Sequence, residues 1–348
     1  MQRRSATPSS FEYNNGVKSM FISRFDGGVL LNIDASSLEI HIAALIANDP
    51  HMIQILLDGK DYHSMTARMM WDIPDDEDVP KDVRSKAKSA SFGTIYGQGA
   101  QGLADKEGIP INEAQGVIDK LMKAYPKLNS AIENAHNMAE HKHYVETISG
   151  FRRRLDTAMS NDKALKARTL RQAFNAIVQG SGAYYTNTAL IAIRKIFDEL
   201  HLESKLCITV HDSIVIDCKP EELEAVYQIT TYVFSHSTIP ELNNLPIGNL
   251  NVPDELKQSP TTYRFPMVGE AEIGLNYNDD VGFDLEEYKK FKSPFGYCKY
   301  NYELLKLKES LGMYDTDKYT EDDKAKKISE LNEAIDILKS NKELFEQA

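Results

Sequence analysis

Cysteine is scarce in this 348-residue chain: Cys207, Cys218 and Cys298 are the only three, with no C-x-x-C spacing among them. That excludes a disulfide framework and a zinc cage as organising devices and makes a reducing compartment the default. No apolar run is long enough to span a membrane. The opening MQRRSATPSSFEYNNG carries charge but no apolar core, so it does not read as a secretory signal. Internal repeats and low-complexity tracts are absent too. Positive charge is in deficit, 40 Lys and Arg against 52 Asp and Glu, for a formal net charge of -12. On average such a balance argues against nucleic acid as a partner. The average does not decide the matter, because phosphate binding depends on the local field. Local basic stretches are present in Arg84 to Lys88, in FRRRL (151–155) and in KALKARTLR (163–171).

Hydrophobic content of 42% and charged content of 26% are globular values, and the length suffices for two subdomains or one large domain. VLLNIDASSLEIHIAALI (29–46) opens as a buried strand and then takes helical spacing, with Asp34 near the changeover. DYHSMTARMMW (61–71) reads as a short helix capped by Asp61. From Lys81 the pattern is helical to about Tyr96, where Gly97 and Gly99 end it. INEAQGVIDKLMKAY (111–125) is amphipathic, with Asn112 as its cap. HYVETISGFRRRL (143–155) reads as a hairpin turning at Ser149-Gly150, and KLCITVHDSIVIDC (205–218) as another turning at His211-Asp212. Between them, residues 165–197 form one long helix. After about Asp284 the apolar stripes weaken, although ISELNEAIDILKSNKELF (328–345) still reads as one amphipathic helix.

Chemistry concentrates at a few places. GQGAQG (97–102) is a literal G-x-G-x-x-G, which would make the chain a nicotinamide-binding oxidoreductase if a strand preceded it. Arg84 and Lys88 before it are wrong for a buried parallel strand. A helix explains more. Arg84, Lys88, Phe92 and Tyr96 stand four apart and form one slowly winding stripe. The first two suit phosphate oxygens, and the last two offer flat faces to a sugar and a base. A solvated basic turn followed by two core aromatics is the plain alternative. Asp34 and Asp212 each sit where a strand ends or turns. Should the two meet, they could hold a pair of Mg²⁺ ions for phosphoryl transfer; taken singly, each is an ordinary turn-former. Arg171, Asn175 and Gln179 form a second polar stripe that could donate to base edges in a minor groove, followed by Gly180 and Gly182, which permit close approach. An exposed polar face is the competing reading.

Taken in order, these segments resemble the polymerase region of family A DNA polymerases, the DNA polymerase I family. DASSLEIHIAAL looks like motif A, RSKAKSASFGTIYGQGAQGLA like motif B and VHDS like motif C, while RQAFNAIVQGSGA, YVETISGFRRRL and DYHSMTA match further segments. The resemblance runs from about Arg3 to about Asp284. It implies an α/β fold of α+β type, with an antiparallel palm sheet and packed helices plus a mostly helical fingers subdomain. The implied division is palm at 1–40, fingers at 41–160, palm again at 161–284 and a helical extension at 285–348. It implies a template-directed DNA polymerase working on primer–template DNA and dNTPs in the cytoplasm of a bacterial or phage-infected cell, with two Mg²⁺ ions, or Mn²⁺ in their place. A non-catalytic DNA-binding remnant is the competing reading, against which the intact Asp34, Lys88 and Asp212 argue.

By the same resemblance Asp34, Asp212 and the Ala35 carbonyl bind the metals, and Arg84, Lys88 and His63 hold the β- and γ-phosphates. Lys88 is also placed to protonate the leaving group, and Phe92 packs on the sugar and base. Glu39, helped by Tyr96, closes the space of a ribose 2′-hydroxyl. Arg3, Arg171, Asn175 and Gln179 line the minor groove, and His211 touches the primer terminus. Three positions depart from the pattern: Ser213 replaces a second acid, Ala35 a tyrosine and His41 an arginine. The thumb and any exonuclease domain lie before motif A in this family, and only 33 residues precede Asp34. The expectation is therefore weak duplex affinity and low processivity for this chain alone. Either a second polypeptide supplies thumb or exonuclease, or the chain is a shortened form.

Overall fold

The computed structural model describes residues 16–314 and 321–348, so Arg3 lies outside the described residues. In chain order, strand β1 (Val29–Ala35) leads into helices α1 (Leu38–Ala47), α2 (Pro50–Leu57), α3 (Tyr62–Trp71), α4 (Lys81–Ile95), α5 (Ala100–Glu107), α6 (Ile111–Ala124) and α7 (Pro126–Lys142). The hairpin β2 (Tyr144–Glu146) and β3 (Arg152–Arg154) precedes the long helix α8 (Lys163–Glu199). Then come β4 (Lys205–Val210), β5 (Ser213–Cys218), α9 (Leu223–Ser235) and the short strands β6 (Leu245–Pro246), β7 (Lys257–Ser259) and β8 (Thr262–Tyr263). Strands β9 (Gly269–Gly274) and β10 (Asp280–Gly282) are followed by α10 (Leu285–Tyr288), α11 (Pro294–Tyr314), α12 (Glu321–Ser340) and α13 (Lys342–Gln347). Helices with antiparallel sheets give the α+β class expected from the sequence.

Two compact units result. One comprises the described residues up to Ser36 with Ala189–Ser235 and those of Val268–Ala348; the other comprises Ser37–Thr188 and His236–Met267. The first is built on a five-stranded antiparallel sheet in the order β10-β9-β1-β5-β4. Because side chains alternate across a strand, Val29, Leu31 and Ile33 share one face of β1 while Asn32 and Asp34 share the other. Val29, Leu31, Ile33, Ile214, Ile216 and Ile273 are fully buried, and helix α9 packs on this sheet. Each such side chain contributes about 1.5–3 kcal/mol on burial. Gly269 marks how closely α9 sits: a Cβ there would lie 2.8 Å from the Cβ of Phe234. Helix α11 packs on β10 and carries an aromatic cluster in which Tyr297 meets Phe283, Tyr288 and Phe291 edge-on. The Tyr297 hydroxyl donates to the Gly282 carbonyl at 2.9 Å.

The second unit is mostly helical. Asp49 caps α2 through the amides of His51 and Met52 and also accepts from the Lys127 amide, which ties the start of α7 to the start of α2. Tyr62 stacks on Tyr125 with ring centroids 5.6 Å apart, and Tyr125 reaches the Thr66 hydroxyl at 2.8 Å. A small sheet of order β6-β8-β7 belongs to the same unit.

Two local expectations are corrected. Asn112 does not cap α6: the helix starts at Ile111, directly after Pro110, whose fixed φ and missing N–H set the boundary one residue before any cap at Asn112 could act. Nor is 328–345 one helix. It breaks at Asn341, whose backbone N–H and side-chain amide both donate to the Ile337 carbonyl, at 3.1 and 2.8 Å.

Candidate active site

In the first unit the acidic pair assembles at one end of the sheet. β1 and β5 run antiparallel with Asp34 opposite Ser213, which brings Asp212, the residue before Ser213, next to the end of β1. Asp212 sits in the two-residue turn between β4 and β5, where His211 takes the left-handed backbone (φ 58°). A carboxylate buried beside another resists ionisation. Burial first, and the charge and hydrogen bond of Asp212 next, push the Asp34 carboxyl up to about 7. Its Oδ1 is buried and has no hydrogen-bond partner. Ser213, which departs from the motif C pattern of a second acid, is buried and donates to the Val210 carbonyl at 3.0 Å. On the other side of β1 Asp34 faces Glu270, which accepts from the Ser36 hydroxyl at 2.7 Å. Two residues along the strand, Asn32 is buried with neither amide atom hydrogen-bonded. Glu270 and Asn32 carry no sequence signal of their own; the register of β1 and β9 places them here.

This donor set suits a hard divalent cation. An unpartnered buried carboxylate oxygen and an adjacent second carboxylate gain from a positive charge between them. Mg²⁺ is commonly held by one or two carboxylates with water and substrate phosphates making up the rest. Among the described residues no group of three or more His, Cys, Asp or Glu is placed to hold a metal ion.

The second unit presents the basic and aromatic stripe. Along α4, Ala87, Ala90, Ser91, Thr94 and Ile95 face inward, whereas Arg84, Lys88, Phe92 and Tyr96 lie on the partly or fully exposed side. Phe92 and Tyr96 are stacked, 6.0 Å apart with planes at 14°, and the Lys88 Nζ lies 6.0 Å from the Phe92 ring centroid. His63, on α3, tilts against Phe92 at 5.3 Å. Burial lowers the His63 pKa to about 4, with Lys88 and Arg84 adding to the effect and Asp61 opposing it. The ring is therefore neutral at pH 7, and its Nδ1 is buried without a partner. Arg84 is held by Asp61 through two hydrogen bonds of 2.8 Å. Sequence reasoning assigned Asp61 only the cap of α3, which it does form, by accepting from the Ser64 amide.

Glu39, at the start of α1, accepts from the Tyr96 hydroxyl at 2.9 Å and from the Gln179 amide at 3.4 Å. The structure thus brings three of the expected residues together. Arg171 and Gln179 are exposed on α8, and Asn175 between them is half-buried with an unpartnered Oδ1. Gly180 and Gly182 allow close approach, but to the protein itself: an added Cβ would meet Thr147 at 2.6 Å and Leu38 at 3.1 Å. His41 is buried, with its ring nitrogen 3.0 Å from the Ser37 carbonyl, and serves packing. The GQGAQG segment follows a helix and opens α5, with no strand before it, so the dinucleotide reading has no structural support.

The model for DNA polymerase family A matches residues 6–255. The chain belongs to that family. It is 33% identical over 298 residues to a DNA polymerase of Bacillus phage SP01, covering 83% of this chain and 30% of that one. To the thermostable DNA polymerase I of Thermus aquaticus it is 31% identical over 218 residues, covering 62% and 26%. Among solved structures it is similar to the POL domain of Pol1 from M. smegmatis, in complex with DNA primer-template and dNTP. The TM-score there is 0.62, at 23% identity over 75% of this chain and 42% of that one. These family A relatives are considerably longer, the chain spanning about a quarter to a third of the curated ones. Among the described residues no helix is long and apolar enough to cross a membrane.

Proposed function

We propose that this chain adds deoxynucleotides to a primer 3′-hydroxyl under the direction of a template strand. The observation that carries the reading is the meeting of Asp34 and Asp212 at one end of the β1–β5 ladder, with a buried carboxylate oxygen left unpartnered. Family membership supports it, as does the outward-facing stripe on α4. Asp34, Asp212 and the Ala35 carbonyl would hold two Mg²⁺ ions, with Mn²⁺ as a substitute. When bound, the ions supply the charge that lowers a hydroxyl pKa and neutralises a departing pyrophosphate.

The chain's own residues do the rest. Arg84 offers a planar fork and Lys88 a point charge to the triphosphate. His63, neutral at pH 7, donates one hydrogen bond to a phosphate oxygen. Lys88 also gives its proton to the leaving group. Phe92 stacks on the sugar and base of the incoming nucleotide. Glu39, pinned by Tyr96 and Gln179, occupies the space of a 2′-hydroxyl, so a ribonucleotide would have to break that contact. Arg171, Asn175 and Gln179 donate to base edges and sugars in the minor groove, and His211 meets the primer end.

Primer extension with dNTPs and Mg²⁺ tests the reading. Asp212→Ala should abolish extension while leaving primer–template affinity within about twofold. A variant that still extends removes Asp212 from the chemistry, and a wild-type chain that extends nothing removes the reading.

A further inference from the structure

Asp61 does two things at once. Its Oδ2 accepts from the Ser64 amide at the start of α3 and from Arg84 Nε, each at 2.8 Å, while its Oδ1 accepts from Arg84 Nη2, also at 2.8 Å. The carboxylate is thereby fixed to a helix N-terminus, where the helix dipole favours a negative charge. A guanidinium has two usable edges. Asp61 takes the Nε–Nη2 edge, and among the described residues Nη1 has no partner. The same segment carries His63 two residues on, so one capped helix start positions both a fork and a ring. Arg84 and Asp61 are 41% and 45% exposed, so the pair is open to solvent and to a ligand.

We propose that Asp61 is a positioning residue for the incoming nucleotide: it holds one edge of Arg84 so that the other edge faces the triphosphate. This rests on the polymerase reading above. An arginine otherwise loses rotamer freedom when it grips a phosphate, and a side chain already locked by a carboxylate loses less. Phosphate binding at the free edge needs no exchange with Asp61. A carboxylate that merely parked Arg84, or repelled the triphosphate, would have the opposite effect on affinity, which makes the sign of the effect decisive.

The experiment is steady-state primer extension with varied dATP in Mg²⁺, for the wild type, Asp61→Asn, Arg84→Ala and the double variant. Asparagine caps a helix as well as aspartate does, so α3 is preserved. Asp61→Asn should raise KM for dATP about fivefold with a smaller change in kcat, and should add nothing in the Arg84→Ala background. Arg84→Lys, which keeps the charge but loses the fork, should raise KM similarly and be insensitive to Asp61→Asn. An unchanged or lower KM in Asp61→Asn, or additive effects in the double variant, overturns the proposal. A wild-type chain that extends no primer overturns the polymerase reading instead.

Discussion

Gly97 is the residue where a single methyl group should do most harm. It closes α4 in the left-handed region, φ 70°, and a Cβ there would lie 2.1 Å from the Arg171 carbonyl oxygen and 2.6 Å from its carbon. Both are backbone atoms of α8, so no side chain can swing away. Two costs add in Gly97→Ala. Left-handed backbone costs a non-glycine residue about 1–2 kcal/mol. Forcing extra volume into a packed contact costs about 1–3 kcal/mol more. A destabilisation of about 2–5 kcal/mol is expected in urea unfolding. Displacement of Arg171 should weaken primer–template binding as well, because that residue heads the polar stripe. Gly99 is the control: its φ is -80° and nothing lies within 4 Å of an added Cβ. As it is the residue before α5, Gly99→Ser should stay within about 0.5 kcal/mol of wild type. Equal unfolding midpoints for Gly97→Ala and wild type, or a larger loss in Gly99→Ser, would refute the reasoning.

Glu39→Ala should increase ribonucleotide incorporation at least tenfold in single-nucleotide extension, and Tyr96→Phe, which removes the 2.9 Å hydrogen bond but not the carboxylate, should do so more weakly. Unchanged discrimination in Glu39→Ala would strip it of the gate role. His63 predicts a pH dependence of stability. Its folded pKa is depressed to about 4, so the folded state binds fewer protons than the unfolded chain between about pH 4 and 6.5. The stabilisation is therefore complete above about pH 6.5 and is lost as pH falls toward 4. On the order of 2–3 kcal/mol is at stake. His63→Gln should flatten that part of a urea midpoint-versus-pH curve, and an unaltered slope would show that the ring is not buried neutral.

What could be read from the sequence was local. The end of β1 near Asp34, the Asp61 cap, the outward stripe of α4 and the turn at His211-Asp212 all follow from residue spacing and turn chemistry within a few positions. Where local rules competed, spacing alone misled. Pro110 set the start of α6 before Asn112 could, and α12 ended at Ser340 although the apolar period continued past it. The glycines after Gln179 were legible as places of close approach, but not what approaches them, because Thr147 and Leu38 arrive from elsewhere in the chain.

The acid pair shows most plainly why the remainder was hidden. Nothing in VLLNIDA or VHDS states that their strands are neighbours, or that the register sets Asp34 against Ser213; hydrogen bonding between distant segments decides both. Once paired, they break the ordinary rules of the sheet around them. Alternation and burial favour an apolar or neutral side chain at the end of β1, and the chain instead holds a half-buried carboxyl with an orphaned oxygen beside a second acid. Such an arrangement costs stability in the protein alone. Local consistency elsewhere in the sheet makes this exception informative, since residues that fold the chain tend to agree with their surroundings and residues that serve a ligand need not.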